Sequence, residues 1–291
     1  MNLLLSFHYY GTDDLAELTG LFPTRPTVFA DSGGFSAHNI GADVSLDVYA
    51  EWCARWTDAG VLDCYANLDV IGDAEATWQN QQRMEAEGLA PLPVFHGGEP
   101  WEYLDRYLAA YPYVCLGGMV ASSKTAVVRW LVECHRRARA AGVVLHGFGQ
   151  TDRSIVRQVP FYTVDSSSWG YGHRFGWVFL WDARTTQLVS VRVGTPDVHT
   201  QGRLLRAAGL DPAQLSRPGY GRRGGDPDAK ERARTEWRGM ARQNARAFLQ
   251  FQEWLTARFG AMDGPVGPGP AVFLADGSND VLDVLAEVEH E

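Results

Sequence analysis

The stretch TVFADSGGF, residues 27–35, decides the fold. Thr27, Val28, Phe29 and Ala30 form a short β-branched and aromatic run, and the turn residues Asp31-Ser32-Gly33-Gly34 break it. A helical period follows over 45–59, where Leu46, Tyr49, Trp52, Cys53 and Trp56 recur at three and four residues behind Ser45 as N-cap. Strand, polar turn and amphipathic helix together make one βα unit. Working outward, the unit returns. Strands are predicted at Leu3–Phe7, Cys64–Leu68, Leu92–Phe95, Tyr113–Leu116, Val143–Leu145 and Thr163–Val164, with helices at 73–88, 100–110 and 123–141, the last stopped by Gly142.

After Gly170 the rhythm changes. Trp177–Asp182 and Leu188–Gly194 read as a hairpin, followed by a Gly-, Pro- and Arg-rich loop over 217–228 and a long helix from Ala229 to Phe259. A linker over 264–270, a last strand at 271–274 and a short acidic helix at 280–290 complete the chain. The pattern predicts an α/β protein, a (β/α)8 TIM-like barrel with a basic insertion or extension before the last strand. Residues 1–291 are expected to form a single catalytic barrel domain, with 170–262 as hairpin plus Arg-rich helical insertion.

Composition narrows the class. With 45% hydrophobic and 21% charged residues, the chain is neither disordered nor a coiled coil. Its longest uncharged run, Tyr107 to Ser123, contains Pro112, Gly117 and Gly118 and is a poor membrane span. MNLLLSFHYY carries no basic leader, so a cytoplasmic location is expected, the host cytoplasm for a phage-encoded chain. Cysteines 53, 64, 115 and 134 show no C-x-x-C spacing, and no metal site is expected. A net charge of −9 argues against a nonspecific polyanion binder. Its distribution is uneven: Arg203 to Arg246 holds eleven basic residues against five acidic ones, a basic segment on an acidic body.

In a parallel barrel, reactive groups belong at the C-terminal strand ends. Asp31-Ser32-Gly33-Gly34-Phe35, Asn67-Leu68-Asp69, His96-Gly97-Gly98, Gly117-Gly118-Met119, His146-Gly147-Phe148-Gly149 and Asp165-Ser166 all fall there. Asp31, Asp69 and Asp165 would converge on one mouth. Such carboxylates suit displacement at a sugar C1′, one attacking the anomeric carbon while another moves protons. Glycines let backbone approach a flat ligand such as a nucleobase.

These motifs resemble the tRNA-guanine transglycosylase superfamily over roughly residues 27 to 170. The matches are Asp31-Ser-Gly-Gly-Phe35, Leu68-Asp69, Val94-Phe-His-Gly-Gly98, Leu116-Gly-Gly-Met119, His146-Gly-Phe-Gly149 and Val164-Asp165. The resemblance implies Asp165 as covalent nucleophile and Asp31 as general acid/base. It implies a base site of Ser32, Phe35, Asp69, His96, Gly117, Gly118, Met119 and His146, with Asp69 accepting from the base's N1 and exocyclic amine hydrogens. Two departures stand out: His96 replaces the family's Gln, and the family's cysteine-rich zinc motif is absent, since no cysteine follows 134. That pattern is most similar to the DNA 7-deazaguanine transglycosylases of phages and bacteria. The expected activity is exchange of guanine in DNA for a free 7-deazaguanine base (preQ0-like), with no metal or redox cofactor, on a nucleotide flipped from its stack. Arg222, Arg223, Arg232, Arg234, Arg238, Arg242 and Arg246 are the candidate phosphate contacts, the alternative being a solvated helix face. Trp169, Tyr171 and His173 are candidates for stacking on flanking bases, with packing as the alternative. The rival readings are the same chemistry on tRNA, a nucleic-acid-binding barrel without catalysis, and a carbohydrate hydrolase.

Overall fold

A computed structural model describes residues 1–34, 44–119, 123–170, 172, 175–221 and 227–290. The chain divides into two compact units. The first comprises Met1–Gly20, Thr24–Ser166 and Phe259–Gly277. It holds a curled, half-barrel sheet of eight parallel strands: β1 (Asn2–Ser6), β2 (Thr27–Asp31), β3 (Cys64–Tyr65), β4 (Val94–His96), β5 (Tyr113–Gly117), β6 (Val144–Gly147), β7 (Thr163–Ser166) and β10 (Ala271–Ala275). Their order across the sheet is β3-β2-β1-β10-β7-β6-β5-β4. The two outer strands are themselves bridged: Leu92 N–H donates to Tyr65 O at 2.8 Å, and Asn67 N–H to Leu92 O at 2.9 Å.

Strand residues alternate between faces. One face carries Leu4, Phe29, Cys64, Ala66, Val94, Tyr113, Cys115, Ala271, Phe273 and Ala275, all buried in one cluster. The intervening residues, such as Leu3, Val28, Phe95, Val114, Leu116, Val272 and Leu274, are buried too. Burial on both faces is the parallel-sheet condition and explains why these strands read as continuous apolar runs. Helices Leu46–Asp58, Ala74–Ala86, Trp101–Ala110 and Lys124–Ala141 alternate with the strands. Asp73 caps the second by accepting from Ala76 N–H at 2.9 Å, Ser123 caps the fourth, and Gly142 ends it in the left-handed region. Ser45 stands at the N-cap of the first without a side-chain cap bond.

The third strand is shorter than the sequence predicts, and side chains explain it. Asn67 Nδ2 donates to Thr77 O at 2.8 Å and Asn80 Nδ2 to Leu68 O at 2.8 Å. Thr77 Oγ1 also accepts from Val70 N–H at 2.9 Å, so helix side chains take the backbone of Leu68 and Val70 while the Asn67 side chain ties the strand end to the helix.

The second unit comprises Leu21–Pro23, Ser167–Arg258 and Ser278–Glu291, so its bounds differ from the expected 170–262 and it takes in the C-terminal helix. Strands β8 (Trp177–Asp182) and β9 (Gln187–Arg192) form the predicted hairpin. Val178, Leu180, Val191, Val198, Leu205, Leu215 and Met240 make its core. The long helix spans Pro227–Phe259 and the last helix Asn279–Glu289. Asn244, wholly buried, ties the unit together: its Oδ1 accepts from Phe179 N–H at 2.6 Å, and its Nδ2 donates to Trp169 O and Trp177 O at 2.7 and 3.1 Å. No described helix is long and apolar enough to cross a membrane.

Asn244→Ala would strand one backbone donor and two acceptors in the core. The expected loss is on the order of 3 kcal/mol in stability, read as a lower chemical-denaturation midpoint; an unchanged midpoint would refute this account of the unit.

Candidate functional site

The two-residue period that buries Leu4, Phe29, Val94 and Cys115 and packs the half-buried Val144 against them carries onward to Ser6, Asp31, His96, Gly117 and His146. The apolar stack therefore continues, at the C-terminal ends of the strands, as a polar layer on the same face. Thr163 and Asp165 belong to it on β7.

Asp31 ends β2 opposite Ser6 of β1. Its Oδ2 accepts from Gly33 N–H at 3.0 Å, a tight Asx turn. Gly33 has φ of 74°, and a Cβ there would lie 2.4 Å from His8 Cβ and 2.6 Å from Ser6 Oγ. Only glycine fits both the conformation and the space. Burial pushes the Asp31 pKa up to about 7, and the charges of Asp69 and Asp165 push in the same direction; the Gly33 N–H and the Ser6 hydroxyl offset them in part. Asp31 therefore feels both other carboxylates.

Asp69 and His96 are joined. His96 Nε2 lies 2.8 Å from Asp69 Oδ2, while its Nδ1 lies 2.9 Å from Glu99 Oε1. Glu99 Oε2 also accepts from His96 N–H at 2.9 Å. The remaining Asp69 oxygen accepts from Ser32 Oγ at 3.3 Å. Burial alone would lower the His96 pKa, but the bonds and charges of Asp69 and Glu99 outweigh it and raise it to about 9. The ring is an imidazolium at neutral pH, with both N–H groups spent on carboxylates. His96 thus holds Asp69 in place, whereas the sequence reading placed it against the base. Gly118, at φ of 71°, packs on it; a Cβ there would approach His96 Cβ to 2.8 Å.

Asp165 ends the layer. Its Oδ1 accepts from Gly149 N–H at 2.7 Å, and His146 Nε2 lies 3.4 Å from the same oxygen. Oδ2 has no hydrogen bond among the described residues. His146 is wholly buried, so it faces Asp165 and Thr163 and offers no exposed edge to a base.

Gly117 is buried beside His96, and Met119 follows at a half-buried position. Phe35, Tyr171, His173, Arg222 and Arg223 lie outside the described residues. In the second unit, Arg232 and Arg234 are exposed, as a phosphate contact requires. Arg238 and Arg242 both pair with Glu287 of the last helix, and Arg246 is half-buried. Trp169 is wholly buried, which leaves it to packing. The site also includes residues that sequence reasoning missed: Ser6, Tyr113, Thr163 and Glu99. Alternation from Leu4 and Asp165 could have found Ser6 and Thr163. A cleft lined by His135, Arg139, Val144, Tyr162 and Met262 opens at the opposite strand ends and touches none of these groups.

No family model matches the sequence, and no curated protein matches it. The site's chemistry is therefore argued from its own geometry. A proton-holding carboxyl, an anchored carboxylate and a carboxylate with one unbonded oxygen can together bind a polar planar group and exchange protons and a bond with it.

The raised His96 pKa has a consequence for stability. Relative to a free imidazole of pKa 6.5, its stabilisation is complete below that pH and is lost as pH rises through 9. His96→Gln should lower the thermal midpoint by several degrees at pH 6, with the gap to wild type narrowing between pH 6.5 and 9.5; a constant gap would refute the paired imidazolium.

Proposed function

We propose that this chain is a base-exchange transglycosylase that replaces guanine in DNA with a 7-deazaguanine, built on a (β/α)8 TIM-like barrel whose seam is the Ala66–Leu92 bridge. The observation that carries the reading is that Asp31, Asp69 and Asp165 stand at the C-terminal strand ends of one parallel sheet, Ser32 next to Asp31 bonding Asp69, with the charges of both other carboxylates raising the Asp31 pKa. Asp31, with a pKa near neutrality, suits a group that must give and take a proton within one turnover.

In the first half-reaction, Asp165 Oδ2 bonds C1′ of an extruded guanosine nucleotide. The C1′–N9 bond breaks, its electron pair leaves with guanine, and guanine takes the proton of Asp31. In the second, Asp31 as carboxylate removes the pyrrole N–H proton of the incoming base. That nitrogen bonds C1′, the ester breaks, and Asp165 is restored. Asp69, anchored by His96 and Ser32, presents a carboxylate to the amine edge shared by guanine and 7-deazaguanine. Every step uses protein carboxyls and the incoming free base. The exposed Arg232 and Arg234 supply cations for phosphate in the second unit.

Purified protein incubated with labelled 7-deazaguanine should label duplex DNA, with nucleoside mass spectrometry naming the product. Incorporation into tRNA alone would overturn the DNA assignment. Denaturation should trap a protein–DNA adduct that disappears in Asp165→Ala, with exchange falling by at least about 1,000-fold; an undiminished Asp165→Ala would remove the enzymatic reading altogether. Arg232→Glu with Arg234→Glu should weaken DNA binding about tenfold and flatten its salt dependence. Unchanged binding in that double variant would return the helix to a solvated role.

A further inference from the structure

His146 sits at the centre of a buried hydrogen-bond chain. Its Nδ1 lies 2.8 Å from Thr163 Oγ1, which in turn bonds the Tyr113 hydroxyl, and its Nε2 lies 3.4 Å from Asp165 Oδ1. Phe29, Phe148 and Phe273 surround the ring, their centroids 4.7, 4.5 and 6.5 Å from its own. The imidazole is wholly unexposed, and Nε2 has no partner with full hydrogen-bond geometry.

The chain fixes where the protons lie. If Nδ1 carried a proton, it would donate to Thr163, Thr163 would donate to Tyr113, and the Tyr113 O–H would be left without an acceptor in the core. In the neutral ring that arrangement also points an Nε2 lone pair at a carboxylate; in the doubly protonated ring the Tyr113 proton is stranded all the same. An unmet buried donor costs about 1–3 kcal/mol. The reverse order wastes nothing: Tyr113 donates to Thr163, Thr163 donates to Nδ1, and Nε2–H points at Asp165.

We infer that His146 is a positioning residue for the nucleophile, its Nε2–H acting with the Gly149 N–H to hold Asp165 Oδ1 so that Oδ2 is the oxygen that bonds C1′; this rests on the reading of Asp165 as nucleophile. In the glycosyl ester, Oδ1 is the carbonyl oxygen between two donors. When the ester breaks, the C1′–Oδ2 electron pair returns to Asp165 and the charge spreads to Oδ1, where both donors stabilise it. The 3.4 Å approach shortens as that charge develops. The largest effect of His146 therefore falls on the second half-reaction.

The test measures steady-state exchange together with the fraction of protein trapped as adduct. His146→Leu should cut exchange about 100-fold while the adduct fraction rises. His146→Gln, which keeps a donor near the Nε2 position, should stay within several-fold of wild type. Thr163→Val, nearly isosteric, should lose about tenfold with the same rise in adduct, and it keeps the inference open to refutation should His146→Leu fail to fold. Exchange and adduct unchanged in Thr163→Val, or Gln falling as far as Leu, would overturn it. If wild type itself yields no adduct and Asp165→Ala exchanges normally, the nucleophile reading has failed; a normal wild-type adduct with unaltered variants rejects the role of His146 alone.

Discussion

Carboxylates gathered at one end of a sheet repel one another, and in a partly dry environment the cost is steep unless each is answered by a proton, a cation or a donor. The rest of the site follows from how this chain meets that requirement. Asp69 and Glu99 share the His96 imidazolium, Asp165 takes the Gly149 N–H, and Asp31 keeps its proton up to about pH 7. Three different answers give three chemically different carboxyl groups. That differentiation is what the proposed division of labour among them draws on.

The fold was largely legible because its signals are local. Continuous apolar runs mark strands buried on both faces, and three-and-four spacing marks the helix Leu46–Asp58. Turn chemistry at Asp31–Gly34 and at Gly142 marked the ends. The short β3 was not legible, because the groups that end it, Thr77 and Asn80, reach back onto it across a loop from the helix that follows. Among the described residues, short helices such as Phe7–Tyr10 and Leu15–Thr19 escaped for a related reason: four to six residues show no period.

Candidate chemistry was legible as residue type but not as role. The polar strand ends of the first unit do form one layer, yet the sequence cannot say which way an imidazole is spent. His96 and His146 each face a carboxylate, the first at Asp69 and at Glu99 three residues on, the second at Asp165, with Thr163 seventeen residues on at its other nitrogen. The Arg-rich helix makes the same point about charge. Glu287 lies 49 residues from Arg238 and 45 from Arg242, so no local window could show that these cations are already balanced within their own unit.

The contact between His96 and Asp69 has a mechanical side. Asp69 follows β3 and His96 ends β4, the two outermost strands, which are otherwise stitched by a two-bond bridge at Ala66 and Leu92. The ion pair is thus a second tie between the ends of these two strands, beside the Ala66–Leu92 bridge. Its presence leaves no long bare margin there to recruit a foreign strand. Whatever draws Asp69 away from His96 therefore loosens the join between the two strands, and whatever tightens the join holds Asp69 more rigidly.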